Sequence, residues 1–454
     1  RRGYTLDGCV HWLVGSRPGN AMYDIWKALG VMEGRRFVHD EVYLRLEFQD
    51  QEPVLFYTDP DRLEAHLTDL SPEDAPRIRE FTAAVRRFRG FDPAPAEPPE
   101  LMGLSGKLRT LASYTPYLRL FGRYGRVTNA EFGARFRDPR LRLAFESLFV
   151  PDMTLLFILL NFAWMAEGNG GYPIGGSLPM AQAMADRLEA LGGILRTRAR
   201  VREILVEGDA ATGVRLEDGT VLRADWVISA ADLRSTVFEL LGGRFIDARL
   251  RGWLDGGLQP FRPLVLVGLG VARTFPQETR TVGGTSLPLV APLRVGGTTV
   301  ERMGFHPYVQ DPTLAPEGRT SVMAMLESDW DSWAALAGNR PAYDAEKSRV
   351  ADAVLESLEA RFPGIRKDVE VVDVATPLTF HRYTGNWRGS FEGWIPTAAT
   401  WRTQLPRTLP GLRRLLLAGH WLVPGGGLPP AAFTGKFAVQ VMCRQDGRPF
   451  RMHP

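Results

Sequence analysis

A strand-turn-helix pattern over residues 414–432 constrains the fold more than any other part of the chain. Residues 415–418 are uninterruptedly apolar, which is typical of a strand buried on both faces. The glycines at 425–427 then leave a turn without side chains, and two prolines at 429–430 open an apolar segment that reaches Cys443. Because proline is favoured in the first turn of a helix, the pattern predicts a glycine loop that leads into a helix N-terminus.

Such a helix N-terminus carries N–H groups without intrahelical partners and the positive end of the helix dipole. It suits a phosphate group or a developing negative charge. Three glycines taken alone fit a tight turn without a ligand equally well. The rest of the sequence therefore has to decide between the two interpretations.

Length and composition describe an ordinary globular protein. The 454 residues allow two or three domains, or two domains built from interleaved segments. The net charge of +3 is small and no basic or acidic run stands out, so nucleic-acid binding is not indicated. Cys9 and Cys443 are the two cysteines, and they form no CxxC pair. This argues against a disulfide framework and predicts a reducing, cytoplasmic compartment.

Apolar spacing predicts both helices and strands. Residues 71–88 begin with a proline and acids and continue with apolar residues at helical spacing, which predicts a helix. Alternation predicts an extended segment over residues 4–14 and a strand hairpin over residues 37–57. The strands of a separate, largely antiparallel sheet are expected at residues 261–273, 281–291, 298–309 and 320–328, and a further strand is expected at residues 368–375.

Four other segments carry local signals. Ser177 is expected to cap a helix over residues 177–191, and residues 225–232 to form a buried strand. The longest apolar run, residues 153–165, is too short to span a bilayer and predicts a core helix or an interfacial one. The proline-rich residues 91–99 predict a loop.

Few chemical motifs are present. No GxGxxG, P-loop, HExxH or GxSxG occurs, and no histidine or cysteine spacing predicts a metal site. Tyr383, Trp387, Trp394 and Trp401 form a dense aromatic cluster in the sequence. Core packing is the default for such a cluster, and an aromatic-lined pocket for an apolar ligand is the alternative.

Four segments indicate a protein family when they are considered together. They are residues 4–15, residues 172–177 with the following helix and Val201, residues 227–232, and residues 417–431. In this order they resemble the phytoene desaturase, carotenoid isomerase and retinol saturase group of FAD-dependent oxidoreductases. The last segment is the most specific, because the middle ones are shared with amine oxidases and related flavoenzymes.

The resemblance implies an α/β fold with a discontinuous Rossmann-like FAD-binding domain and an inserted α+β substrate domain of mixed or antiparallel sheet and helices. Residues 1–35, 171–240 and 405–454 would form the FAD-binding part. Residues 36–170 and 241–404 would form the substrate domain.

The FAD contacts follow from the same resemblance. It implies that the backbone of Val201 would pair with the adenine and that Ala230 would lie near the adenosine. Gly419 and His420 would lie beside the ribityl-pyrophosphate. Gly426, Gly427 and Leu428 would point their N–H groups at the flavin pyrimidine edge. A helix dipole there would stabilise negative charge on the reduced ring.

The resemblance also implies the reaction. Hydride would pass between the flavin and a long apolar polyene or isoprenoid, giving desaturation, saturation or flavin-assisted isomerisation. His11 and Glu167 are the candidates for proton handling. Two alternatives stay open, namely an amine-oxidase-like enzyme that uses the aromatic cluster for a cation, and a non-catalytic lipid or carotenoid carrier.

Two further expectations concern the N-terminal FAD-binding motif of the family and a contact with a membrane. The family's N-terminal GxGxxG and its acidic ribose-binding residue do not occur in the sequence. We expect that the first βαβ unit is missing, and that the chain binds FAD weakly and is inactive alone. The helices between residues 101 and 164 are expected to contact a membrane peripherally or, equally, to form a buried layer.

Overall fold

The structure is a computed structural model that describes residues 1–92 and 96–452. The loop predicted over residues 91–99 therefore lies partly outside the described residues. The strands are β1 (Leu13–Val14), β2 (Phe37–Val38), β3 (Val42–Leu46), β4 (Val54–Tyr57), β5 (Gly170–Pro173), β6 (Val201–Glu207), β7 (Ala210–Leu216), β8 (Val221–Arg223), β9 (Val227–Ser229), β10 (Leu264–Val271), β11 (Thr285–Val295), β12 (Thr298–Pro307), β13 (Thr320–Glu327), β14 (Val369–Ala375) and β15 (Leu415–Leu417).

Helices connect and cover these strands. They are α1 (Ala21–Ala28), α2 (Pro60–Leu70), α3 (Ala75–Phe88), α4 (Leu104–Tyr114), α5 (Leu118–Tyr124), α6 (Asn129–Gly133), α7 (Pro139–Glu146), α8 (Leu155–Ala166), α9 (Ser177–Ala190), α10 (Ala248–Gly252), α11 (Trp330–Ala335), α12 (Arg340–Arg361), α13 (Ile365–Asp368), α14 (Pro377–Thr384) and α15 (Leu428–Gln445).

A seven-stranded sheet is the largest element. Its strand order is β14-β10-β13-β12-β11-β3-β4. All its pairings are antiparallel except that of β11 with β3, where Thr285 lies opposite Arg45. The largely antiparallel sheet and the hairpin of β3 and β4 agree with the sequence prediction.

The two faces of this sheet have different neighbours. Val265 and Val267 on β10 point to one face and pack with Val354 of α12 in a fully buried cluster. Because side chains alternate along a strand, Leu264 and Leu266 point to the other face, where they line a cavity. Each buried aliphatic side chain contributes about 2 kcal/mol to folding.

A second, parallel pair carries the strand-turn-helix of the sequence. β15 pairs with β9, with Leu415 opposite Val227 and Leu417 opposite Ser229. All three residues of β15 are buried, and α15 begins 11 residues after its end. The fold is therefore mixed α/β, as predicted.

The prediction of a strand over residues 4–14 is wrong, because only the last two of these residues pair, as β1. Single hydrogen bonds hold the rest, such as the Thr5 N–H to the Leu314 carbonyl at 2.8 Å and the Ser321 hydroxyl to the Thr5 carbonyl at 2.6 Å. These bonds come from different elements, and a strand needs a ladder from one neighbour.

The predicted cap of α9 is also wrong. Ser177 is the first helical residue and Gly176 precedes it. The carboxylate of Asp7 takes the capping role from a distant part of the chain. It accepts the Ser177 N–H at 2.5 Å and the Ser177 hydroxyl at 3.0 Å.

The long apolar run and its neighbour α4 differ in burial. Leu155, Leu156, Ile158 and Leu159 of α8 are all buried, so the core-helix alternative is correct for residues 153–165. In contrast, α4 has no buried residue. Within residues 1–92 and 96–452, no helix is both long enough and apolar enough to cross a membrane.

Candidate functional site

A large cavity of about 2110 Å³ lies between the sheet, α8 and the start of α15. Pockets for small ligands usually measure about 300–1,000 Å³, so this one has room for a much longer molecule. Leu156 and Phe157 of α8 line it, as do Leu264 and Leu266 of the sheet. The wall is therefore mainly hydrocarbon.

The glycine turn closes one end of the cavity. Gly425, Gly426 and Gly427 have positive φ angles of 105°, 51° and 80°. A Cβ at Gly426 would lie only 1.6 Å from the carbonyl oxygen of Glu392. The Gly425 N–H donates to the Trp394 carbonyl at 2.9 Å. The turn thus needs glycine for both its backbone conformation and its close approach to residues 392–394.

The turn offers fewer N–H donors than its sequence indicates. The Gly426 N–H is committed to the Val423 carbonyl at 3.1 Å, and Pro429 and Pro430 have no N–H. Gly427 and Leu428 therefore supply the donors at the start of the 18-residue helix α15. Gly426 lines the cavity, and its predicted donor role stays a prediction, although its N–H already has a partner within the protein.

Ala230 and His420 lie on the cavity wall beside this turn. The His420 Nε2 is buried and has no hydrogen-bond partner among the described residues. Burial lowers the pKa of His420 to about 4, so the ring is neutral at physiological pH. Gly419 lies one layer behind, where its N–H donates to the Thr434 hydroxyl at 2.9 Å.

The two predicted proton-handling residues both reach the cavity. His11 is partly buried, with its ring centroid 5.3 Å from that of His306, and the desolvation of its ring lowers the pKa of His11. The carboxylate of Glu167 accepts the Gly90 N–H at 2.8 Å. Its carbonyl accepts the Arg17 guanidinium at 2.6 Å, which gives Glu167 a structural role between two loops.

Glu392 is a site residue that the sequence analysis missed. It lines the cavity, and its Oε2 is buried without a hydrogen-bond partner in the described part of the chain. Burial raises the pKa of Glu392 to about 8. The sequence feature that could have indicated Glu392 is a single acidic residue among Phe391, Gly393 and Trp394 in a long irregular segment.

The aromatic cluster forms a core more than a pocket. Trp387 and Trp394 pack with Trp421, and Tyr383 is 77% exposed. Only Trp401 of the four lies on the cavity wall. The amine-oxidase-like alternative therefore loses most of the aromatic cage that it relied on.

Val201 lies apart from the other predicted residues. It pairs with Leu216 at the start of β6, and it is not among the described residues that line the cavity. The predicted site residues that line the cavity thus come from four separate segments of the chain, and Val201 and Gly419 are not among them.

Comparison with known proteins identifies the family. Residues 1–443 match the family described as flavin containing amine oxidoreductase. The chain belongs to this family. The resemblance to flavoenzymes and the prediction of a flavin cofactor are thereby confirmed.

Individual proteins to which the chain is similar give a more specific comparison than the family does. The chain is 29% identical to a neurosporene-forming phytoene desaturase of Cereibacter sphaeroides, over 90% of this chain and 80% of the relative. It is 30% identical to that of Rhodobacter capsulatus, over 88% and 78%. An oxidoreductase from Methanosarcina mazei shares the fold, at 18% identity and a TM-score of 0.55, over 97% of this chain and 89% of that one.

The turn and its surroundings fit a flavin. The glycine turn lies on the cavity wall at the N-terminus of α15, and the dipole of α15 favours negative charge at that end of the cavity. The unpartnered Nε2 of His420 offers a polar contact to an incoming group. Bare backbone, a helix N-terminus and a neutral imidazole together suit a ring that becomes anionic on reduction.

Proposed function

We propose that this flavoprotein is an FAD-dependent oxidoreductase acting on a long apolar polyene or isoprenoid of the carotenoid type. The carrying observation is the cavity of about 2110 Å³, with hydrocarbon walls that end at the glycine turn. The names of the relatives support the same substrate class.

The residues of the chain would bind and orient the reactants and would exclude water from them. Gly427 and Leu428 would hold the flavin edge with their N–H groups, with Ala230 and His420 beside it. The apolar walls would align the polyene and exclude water. When bound, FAD supplies the hydride acceptor or donor. Desaturation, saturation and isomerisation would all use this arrangement.

The experiment supplies the purified protein with FAD and with phytoene in phosphatidylcholine vesicles. We expect new conjugated double bonds, fewer double bonds or a changed isomer composition, measured by chromatography with absorbance detection. Protein without FAD is the control. Phytoene that is bound and stays unchanged under oxidising and reducing conditions would support the carrier. Oxidation of putrescine instead would support the amine-oxidase alternative.

The five-segment organisation is part of the proposal. Strands β3 and β4 from residues 36–170 share one sheet with β10 to β14 from residues 241–404, which supports a single substrate domain. β9 and β15 pair across the proposed FAD-binding segments 171–240 and 405–454. The place of residues 1–35 in the FAD-binding part, the adenine role of Val201 and the ribityl role of Gly419 stay predictions.

A peripheral membrane contact is also proposed, now through α4 and α5. Leu104, Leu108, Leu111 and Leu118 are each at least half exposed, with Leu104 at 77%. Lys107, Arg109, Arg119, Arg123 and Arg126 accompany them, and no acid occurs in residues 101–130.

Apolar side chains with basic neighbours suit an anionic lipid surface, which attracts each basic residue by about 1 kcal/mol. Tyr114, Leu118 and Phe121 also line the cavity. The proposed membrane contact would therefore lie at the place where a lipid-soluble substrate enters.

A further inference from the structure

Glu392 carries a carboxyl group in an unusual state. Its Oε2 is buried, and no described residue donates a hydrogen bond to it. Burial without such a bond disfavours the carboxylate, which raises the pKa of Glu392 to about 8. The group therefore holds a proton at neutral pH and exchanges it readily near that pH.

The backbone fixes this carboxyl beside the glycine turn. The Phe261 N–H donates to the Gly393 carbonyl at 2.8 Å, and the Gly425 N–H donates to the Trp394 carbonyl at 2.9 Å. A Cβ at Gly427 would lie 3.0 Å from the Glu392 Oε1. Glu392 thus stands on the cavity wall at the end where the flavin fits.

Two titratable groups on neighbouring elements lie near Glu392 or the residue that follows it. Tyr43 comes from β3, and burial, with a smaller effect of Glu392, raises the pKa of Tyr43 well above its usual range. His420 contacts the position of a Cβ at Gly393, and burial lowers its pKa to about 4. Both are neutral at physiological pH, so Glu392 is the member of this group that changes charge near pH 8.

We propose that Glu392 exchanges a proton with the substrate, which rests on the proposed oxidoreductase function. In desaturation, one substrate carbon would give up a hydride, for which bound oxidised FAD would be the two-electron acceptor. The neighbouring carbon loses a proton to the Glu392 carboxylate, and the electron pair of that C–H bond forms the new double bond. The proton then passes to solvent. Saturation runs the same steps in reverse.

A binding experiment tests the titration without turnover. The probe is diphenylhexatriene, an apolar polyene whose fluorescence rises in apolar surroundings. A ligand that covers Glu392 disfavours its charge, so affinity should fall about tenfold from pH 7 to pH 9. In Glu392→Gln the affinity should not change with pH. Glu356→Gln, an exposed position on α12, should follow the wild type. A pH dependence that persists in Glu392→Gln overturns the proposal.

A kinetic experiment tests the role in the reaction, with FAD-loaded protein and phytoene. Glu392→Gln should lower kcat by about 100-fold or more and abolish the change in rate near pH 8. Glu392→Asp keeps a carboxyl and should restore part of the rate. If the wild type is active and the kcat of Glu392→Gln lies within about threefold of the wild-type kcat, the role of Glu392 is contradicted. The proposed function would not be affected by that result. Wild type that converts no polyene contradicts the proposed function, and this proposal falls with it.

Discussion

At the scale of single residues, backbone contacts decide what the glycine turn does. The triple glycine predicts a turn, but it does not reveal that Glu392 presses its carbonyl against Gly426. Nor does it reveal that the Gly426 N–H is already taken by Val423. The same packing brings Glu392 into the cavity. The contact of Glu392 with Gly426 joins two distant segments of the chain, whereas the bond to Val423 is local.

We predict that Gly426→Ala destabilises the protein by about 3 kcal/mol, because its φ is 51° and the new Cβ would overlap the Glu392 carbonyl. Denaturant unfolding measures the change. Gly435→Ala is the matched control within α15, where no atom lies within 4 Å of the new Cβ. That control should be neutral or stabilise by about 0.5–1 kcal/mol. Equal stability of the two variants would contradict the steric account.

At the scale of elements, environment separates segments that have similar sequences. The apolar α8 is buried against other helices, while the leucines of α4 remain exposed. The start of α9 gives the same lesson, because its cap comes from Asp7. Periodicity predicts that a helix exists, but its partners lie elsewhere in the chain.

We expect Asp7→Asn to destabilise the protein by about 1–2 kcal/mol. The buried carboxylate accepts the Cys9 N–H at 2.9 Å as well as both Ser177 donors, and an amide cannot accept all three. Asp186→Asn, at an exposed pair near the other end of α9, is the control and should change stability little. Unfolding in urea compares them, and similar losses in both variants would disprove the capping role.

At the scale of the whole molecule, distant segments combine into shared structures. Residues 42–57 extend a sheet whose other strands lie within residues 264–375. Arg361 at the end of α12 donates to Glu47 at 2.8 Å and to Glu278 at 3.1 Å, which ties the two parts together. Tyr114 of α4 and Leu118 and Phe121 of α5 line the cavity that this assembly creates.

The proposed membrane contact is tested by co-sedimentation with vesicles. We expect binding to phosphatidylglycerol vesicles and weaker binding to phosphatidylcholine vesicles, and loss of binding in Leu108→Asp with Leu111→Asp. The matched control is Leu178→Asp with Leu188→Asp, two exposed leucines of α9, which should bind as the wild type does. Undiminished binding of the α4 variant would refute the contact. Leu156→Asp should unfold the protein instead, because Leu156 is buried.

The sequence alone determined the local elements and the family. The strand at residues 415–417, the glycine turn and the helix after it follow from apolar runs, missing side chains and proline placement, which are properties of neighbouring residues. The flavin cofactor followed from the order of such segments. Only the tertiary structure decided which groups share the cavity. Glu392 joined it, Val201 did not, and α8 became core, because burial and lost hydration arise only when distant segments pack together.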